Sequence, residues 1–137
     1  NDDTRPIVFL AGGIGVTPFR SIILQATRDK LSRKLILLYS NRRPELAAFT
    51  DDFLAVAEQN QNFVFVPVIT DQDAENPWNG KKGFIAKEML EEIAIETLSG
   101  FVYYVAGSPG MVRAMELMLG KADVPQSQIL SEEFSGY

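Results

Sequence analysis

The stretch Ala11-Gly12-Gly13-Ile14-Gly15-Val16-Thr17-Pro18 closes an apolar run that begins at Ile7. Gly13 and Gly15 admit backbone angles closed to other residues and let a ligand approach without meeting a Cβ. Thr17 is a good N-cap and Pro18 a good first helical residue, so a helix is expected to start here. Its unpaired amides would then point at the glycine turn, a setting that favours a pyrophosphate. The competing reading is a glycine-rich strand-to-helix turn that holds no ligand.

Outward from this stretch the chain alternates. Apolar runs of strand length occur at Ile7–Ala11, Leu35–Tyr39, Phe63–Ile69, Phe101–Ala106 and, more weakly, Ile129–Phe134. Between them lie stripes at helical spacing: Phe19, Ile22, Ile23 and Ala26; Leu46, Phe49, Phe53, Leu54 and Ala57; Met89, Leu90 and Ile93; Met111, Val112, Met115, Met118 and Leu119. Such alternation predicts an α/β fold, a doubly wound, Rossmann-like, five-stranded parallel sheet with helices on both faces. Pro67 lacks the N–H a central strand donates, so the third run is expected to lie at an edge. Ser131, Glu132 and Glu133 disfavour a central place for the fifth. The order 3-2-1-4-5 satisfies both, and its winding reverses between strands 1 and 4, where open parallel sheets bind their ligands.

A second turn meets that reversal. After strand 4 the chain reads Ala106-Gly107-Ser108-Pro109-Gly110-Met111, in which Ser108 can cap and Pro109 can open a helix. The usual dinucleotide fingerprint is incomplete, because Pro18 replaces its third glycine. Ser40-Asn41-Arg42-Arg43 stands where a carboxylate would hold an adenosine ribose. The residues by themselves therefore reach a nucleotide or phosphorylated ligand, and no further.

Composition bounds the chemistry. The chain has 137 residues, which suits one domain over 1–137. It has no histidine and no cysteine, which excludes imidazole bases, thiol nucleophiles and the usual zinc sites. A formal net charge of −5 makes nucleic acid a poor partner. No apolar run approaches membrane-spanning length, and a chain free of cysteine is compatible with the cytoplasm, the expected location.

Ala11–Pro18, Leu38-Tyr39-Ser40-Asn41-Arg42, Tyr104–Met111 and Glu132-Glu133-Phe134 together resemble the C-terminal NAD(P)-binding domain of the ferredoxin–NADP reductase superfamily. The resemblance covers nearly the whole chain in the family's order and spacing. It implies one half of a flavin-dependent oxidoreductase, with FAD or FMN held by a separate N-terminal β-barrel. It also implies hydride transfer from a nicotinamide and a downstream electron acceptor that the sequence does not name. By position, Gly12, Gly13, Gly15, Val16, Thr17 and Pro18 would border the pyrophosphate and nicotinamide. Ala106, Gly107, Ser108, Pro109 and Met111 would form the second wall. Ser40, Asn41 and Arg42 would approach the adenosine. Thr17 and Glu132 would orient the carboxamide and ring, and Phe134 would face the flavin, with Tyr137 as an alternative aromatic. Ala106 stands where many relatives carry cysteine, which removes any thiol contribution.

NADPH-using relatives tend to place Ser-Arg just past strand 3, where this chain has Thr70-Asp71. A carboxylate there repels a 2′-phosphate and accepts a hydrogen bond from a free 2′-hydroxyl, which favours NADH. Arg42 and Arg43 argue the other way, since either can bind a phosphate. The polar stretch Asp71–Gly83, with Trp78 inside it, is long enough to be functional or simply anchored at the surface. Lys81-Lys82, Asp51-Asp52 and Glu91-Glu92 read as solvated charge with no metal constellation, and the methionines before Leu119 read as core. A different class of function, a nucleotide-sensing module without chemistry, fits the fold equally well. The Glu132-x-Phe134 ending discriminates against it, having little purpose without a flavin to face. A flavodoxin-like carrier fits poorly, since the first turn lacks a hydroxyl-rich phosphate loop.

Overall fold

In the computed structural model, residues 5–43, 47–70, 81–93 and 98–134 are described. The strands are β1 (Ile7–Gly12), β2 (Leu35–Asn41), β3 (Phe63–Ile69), β4 (Lys81–Lys82), β5 (Val102–Gly107) and β6 (Ile129–Glu133). They form one sheet in the order β4-β3-β2-β1-β5-β6, parallel throughout. The five expected strands thus take the order 3-2-1-4-5, with the winding reversing at β1. The unexpected sixth, β4, takes the edge position expected for the Pro67 strand, and among the described residues it pairs only with Val68 and Ile69. Pro67 faces Tyr39 of β2 and lies beyond the reach of β4, so its missing donor falls where the outer edge is free of a ladder partner.

The helices are α1 (Thr17–Arg28), α2 (Thr50–Gln59), α3 (Lys87–Ile93) and α4 (Pro109–Lys121). Successive strand residues point to opposite faces and build two cores. Val8, Leu10, Tyr103 and Val105 join Leu90, Val112, Met115 and Leu119 beneath α3 and α4. Ile7, Phe9, Leu37 and Tyr39 join Phe19, Ile23, Phe53 and Val56 beneath α1 and α2. Aromatic edges fasten the second core: the Phe9 and Phe19 ring centroids lie 4.9 Å apart, and Phe9 meets Tyr104 edge-on at 5.5 Å.

Three local expectations are corrected. Thr17 is not the N-cap of α1. A 3₁₀ turn, Gly13–Val16, runs straight into the helix, the residue before Thr17 is already helical, and no side chain caps this end. Ile22 and Leu54, expected in buried stripes, are exposed, because only positions spaced as Phe19–Ile23–Ala26 and Phe53–Val56 face the sheet. Asp52 is more than solvated charge. Arg20 reaches from α1 to its carboxylate at 2.8 Å, with the guanidinium 4.8 Å from the centre of the Phe49 ring, and so ties α1 to α2. Leu46, Asp71, Trp78 and Tyr137 lie outside the described residues.

Candidate functional site

Parallel strands deliver all their carboxyl ends to one edge of the sheet. Gly12, Asn41, Ile69, Gly107 and Glu133 end the five long strands there, so every described site candidate lies along that edge. Ala11 pairs with Ala106, which sets the two glycine-containing turns side by side. Their approach is backbone on backbone. A Cβ on Gly15 would stand 2.5 Å from the Ala106 carbonyl oxygen and 3.0 Å from the Gly107 nitrogen, so only glycine permits the contact.

Of the remaining glycines, Gly13 does what its sequence predicts, whereas Gly12 and Gly107 serve a different end. Gly13 takes φ 54°, the left-handed conformation that turns the chain out of β1. Gly12 and Gly107 owe their lack of a side chain to Met111, whose sulfur occupies the space that either Cβ would fill. The thioether thus lies across both turns as part of the wall. Val16 and Ala106, expected to border the nucleotide, have no exposed surface and pack in the core beneath α1. They shape the wall from behind.

The second turn behaves as its sequence predicts. Ser108 is the N-cap of α4 with extended backbone, and its Oγ accepts from the Met111 amide at 3.3 Å. Pro109 opens the helix. β6 is tied to this turn, since the Phe134 amide donates to the Gly107 carbonyl at 2.9 Å. Glu132 is exposed beside Ala106, and Phe134 is half-buried against the core beneath α1.

A cleft of about 580 Å³ opens between the turns, lined by Gly12, Gly13, Ser40, Asn41, Arg42, Thr70, Phe84, Ser108 and Met111. Through Ser40, Phe84, Ser108 and Met111 it continues into an apolar groove of about 650 Å³ between α4 and the segment leading into α3. Asn41 is the polar residue buried among the described residues, and its Nδ2 meets no hydrogen-bond partner of good geometry among them, with only the nearby Tyr39 phenol in reach. A buried donor without an acceptor is costly and marks a place where an incoming polar group is favoured. Burial raises the pKa of the neighbouring Tyr39 phenol, an effect partly offset by the Asn41 side chain and the Ala48 backbone. Thr70 is fixed beside Asn41 by its amide, which donates to the Asn41 carbonyl at 2.9 Å.

The arrangement fits a dinucleotide. The helical turns that follow β1 and open α4 begin at the carboxyl edge of the sheet, where helix N-termini favour an anion, and the cleft is of the size that small ligands occupy. Gly15, Thr17, Pro18, Gly107, Pro109, Glu132 and Phe134 belong to its rim and supports rather than its lining. Phe84 was missed by sequence reasoning. It is 80 % exposed and lines both the cleft and the groove. The amide of the preceding Gly83, at φ 87°, is held by the Ile69 carbonyl. The available signal was an aromatic-aliphatic pair, Phe84-Ile85, directly after a glycine at the end of a polar stretch. Among the described residues no group of acidic side chains is arranged to hold a metal, and no helix is long and apolar enough to cross a membrane.

A parallel sheet with a dinucleotide-sized cleft at its reversal, walled by two glycine-bearing turns, defines a nucleotide-binding domain of the doubly wound class. The chain matches the family model described as the oxidoreductase NAD-binding domain over residues 9–116. It belongs to that family, the NAD(P)-binding part of the ferredoxin–NADP reductase superfamily. It is 31% identical to a component of the Na(+)-translocating NADH-quinone reductase of Shewanella denitrificans, over 98% of this chain and 34% of that protein. It is 32% identical to NADH-cytochrome b5 reductase 2 of Candida albicans, over 81% of this chain and 37% of that protein. The crystal structure of an Amycolatopsis cytochrome P450 reductase superposes with a TM-score of 0.83 at 26% identity, over 99% of this chain and 39% of that one. The chain thus spans about a third of the length of these relatives.

Proposed function

We propose that residues 1–137 form one domain that binds NADH and presents its nicotinamide to a flavin, FAD or FMN, carried by a separate β-barrel domain. When bound, the dinucleotide supplies a hydride, two electrons together with one proton, which leaves an oxidised nicotinamide and a reduced flavin; the electrons then pass to a downstream acceptor. The protein's contribution is geometric. The turns at Gly13 and Ser108 hold the diphosphate with backbone amides. Phe84 offers its ring to the adenine, and Asn41 and Thr70 offer polar groups to the ribose. Thr17 and Glu132 orient the carboxamide end, and Phe134 occupies or vacates the ring-stacking position. None of these tasks calls for a general base, in keeping with a chain that has no histidine or cysteine.

The observation that carries this reading is the contact between Gly15 and Ala106, which brings both turns to one cleft. The names of two relatives, a component of an NADH-quinone reductase and an NADH-cytochrome b5 reductase, favour NADH, as does Thr70-Asp71 in place of Ser-Arg. Arg42, which also lines the cleft, is the residue a 2′-phosphate would seek. Calorimetric titration with each nucleotide decides: NADH is expected to bind more tightly, and tighter binding of NADPH overturns the preference. We assign the domain to the cytoplasm, with which its composition is compatible.

A further inference from the structure

Of the chain's four methionines, all among the described residues, Met111 is the one that lines the cleft between the two turns. It also lines the groove that leads away from the cleft. Met115 is 6 % exposed and packs in the core beneath α4. Met89 and Met118 are half-buried and take no part in the cleft lining. Met111 is half-buried as well, but its position is special. Its backbone is fixed by the bond from its amide to Ser108 Oγ, and its sulfur rests against Gly12 and Gly107. A thioether that faces an open cleft is chemically reactive as well as space-filling, since oxidation to the sulfoxide turns an apolar group into a polar one. The chain has no cysteine, so no thiol of its own competes for the oxidant.

We propose that Met111 is a modification site: hydrogen peroxide converts its thioether to the sulfoxide, and the sulfoxide closes the cleft to the dinucleotide. The consequence for binding rests on the reading given above. In this step a sulfur lone pair attacks one peroxide oxygen, an S–O bond forms and the O–O bond breaks. The proton on the transferred oxygen passes to the departing one, which leaves as water. Sulfur is oxidised by two electrons and the peroxide is reduced by two. The new oxygen has two directions open to it. Toward the turns it meets Gly12 and Gly107, where the sulfur already occupies the room for a single carbon. The turns must then part, as the surroundings of any overpacked group do. Toward the cleft it sets an acceptor of partial negative charge beside the turns assigned to the diphosphate, where it repels an anion. Either direction weakens binding. A bound dinucleotide in turn covers the sulfur, so occupancy and oxidation oppose each other. Sulfoxide reductases return methionine sulfoxide to the thioether, which makes the modification reversible.

The test uses the flavin-loaded polypeptide in which this chain is the nucleotide-binding part, treated with hydrogen peroxide. Peptide mass spectrometry follows oxidation at each methionine of this chain, calorimetry follows NAD+ affinity, and circular dichroism follows the fold. Met111 is expected to oxidise faster than buried Met115, and saturating NAD+ to slow oxidation at Met111 but not at Met89. Wild type oxidised at Met111 is expected to bind NAD+ at least about fivefold more weakly, the lower end of what an extra atom costs in packed space. Its circular dichroism is expected to stay unchanged, and sulfoxide reductases of both stereospecificities to restore its affinity. Met111→Leu, measured against its own untreated affinity, is expected to lose nothing on treatment, whereas Met118→Leu loses as wild type does. The proposal is overturned by slower oxidation of Met111 than of Met115, by absence of NAD+ protection, or by unchanged affinity once Met111 is oxidised. An equal loss in Met111→Leu, or a loss that comes with unfolding, overturns it too. A wild type that binds no NAD+ before treatment overturns the underlying reading, and the closing of the cleft with it, whatever the order in which the methionines oxidise.

Discussion

Gly15 and Ala106 touch through their backbones, with no side chain between the turn that leaves β1 and the end of β5. The closeness of those two residues determines whether the cleft exists at all. It is also the feature most easily broken by a single methyl group.

Gly15→Ala would place a Cβ 2.5 Å from the Ala106 carbonyl oxygen, and backbone cannot rotate away as a side chain can. The turns must separate. We expect a loss of about 1–3 kcal/mol in stability, measured by denaturant unfolding, as for other overpacked sites. Nucleotide binding measured by calorimetry should weaken by about tenfold, since positioning is what the site contributes. Wild-type affinity in this variant would show that the cleft tolerates wider spacing.

Gly12→Ala meets the sulfur of Met111, the far part of a flexible side chain. The variant should therefore lose stability, and Met111→Ala in the same chain should restore part of it. A double-mutant cycle is expected to show coupling of about 0.5–3 kcal/mol, the range for residues in contact. Strict additivity would mean that the thioether does not lie across the turn in solution.

Phe84→Ala removes an exposed ring that makes little contribution to the fold. NADH affinity should fall by about 3–10-fold, as an aromatic stacking contact of about 0.5–1.5 kcal/mol implies. Reduced nicotinamide mononucleotide, which has no adenine, should bind wild type and variant alike. If both ligands lose affinity equally, the ring acts on the shape of the cleft instead.

Tyr103 is fully buried, and its hydroxyl donates to the Leu98 carbonyl at 2.7 Å. Burial pushes its pKa well above the ordinary value of 10.0. The unfolded chain thus releases this proton first, so the phenol's contribution to stability is constant below pH 10 and falls as pH rises above it. The Tyr39 phenol, also shifted upward, adds to the same limb. Thermal melts from pH 8 to 11 should show the decline, and Tyr103→Phe should flatten it. At neutral pH the same variant should cost about 0.5–1.5 kcal/mol, because the Leu98 carbonyl loses its shorter hydrogen bond and keeps that from the Phe101 amide at 3.4 Å.

Strand order was legible in the sequence because hydrophobic runs, Pro67 and the acidic residues of β6 each report a local preference for centre or edge. The capped start of α4 was equally legible, as Ser108 and Pro109 act within one turn. The start of α1 was not. Thr17 and Pro18 make a plausible cap on local grounds, yet the 3₁₀ turn at Gly13–Val16 packs onto β5 and draws the helical backbone four residues further back. Two-residue β4 carries too little pattern to be read at all.

The site divides in the same way. That glycine-rich turns would border a cleft at the sheet's reversal followed from residue order, since parallel strands send their carboxyl ends to one edge. Which glycine serves which purpose was decided only in three dimensions. Gly12 and Gly107 make room for Met111, a residue 99 positions from the first and four from the second, and Gly15 makes room for a strand 91 positions away. Phe84 gains its importance from the groove wall that α4 supplies. Sequence reports what each segment prefers by itself; contacts between distant segments depend on distances that exist only once the sheet has formed.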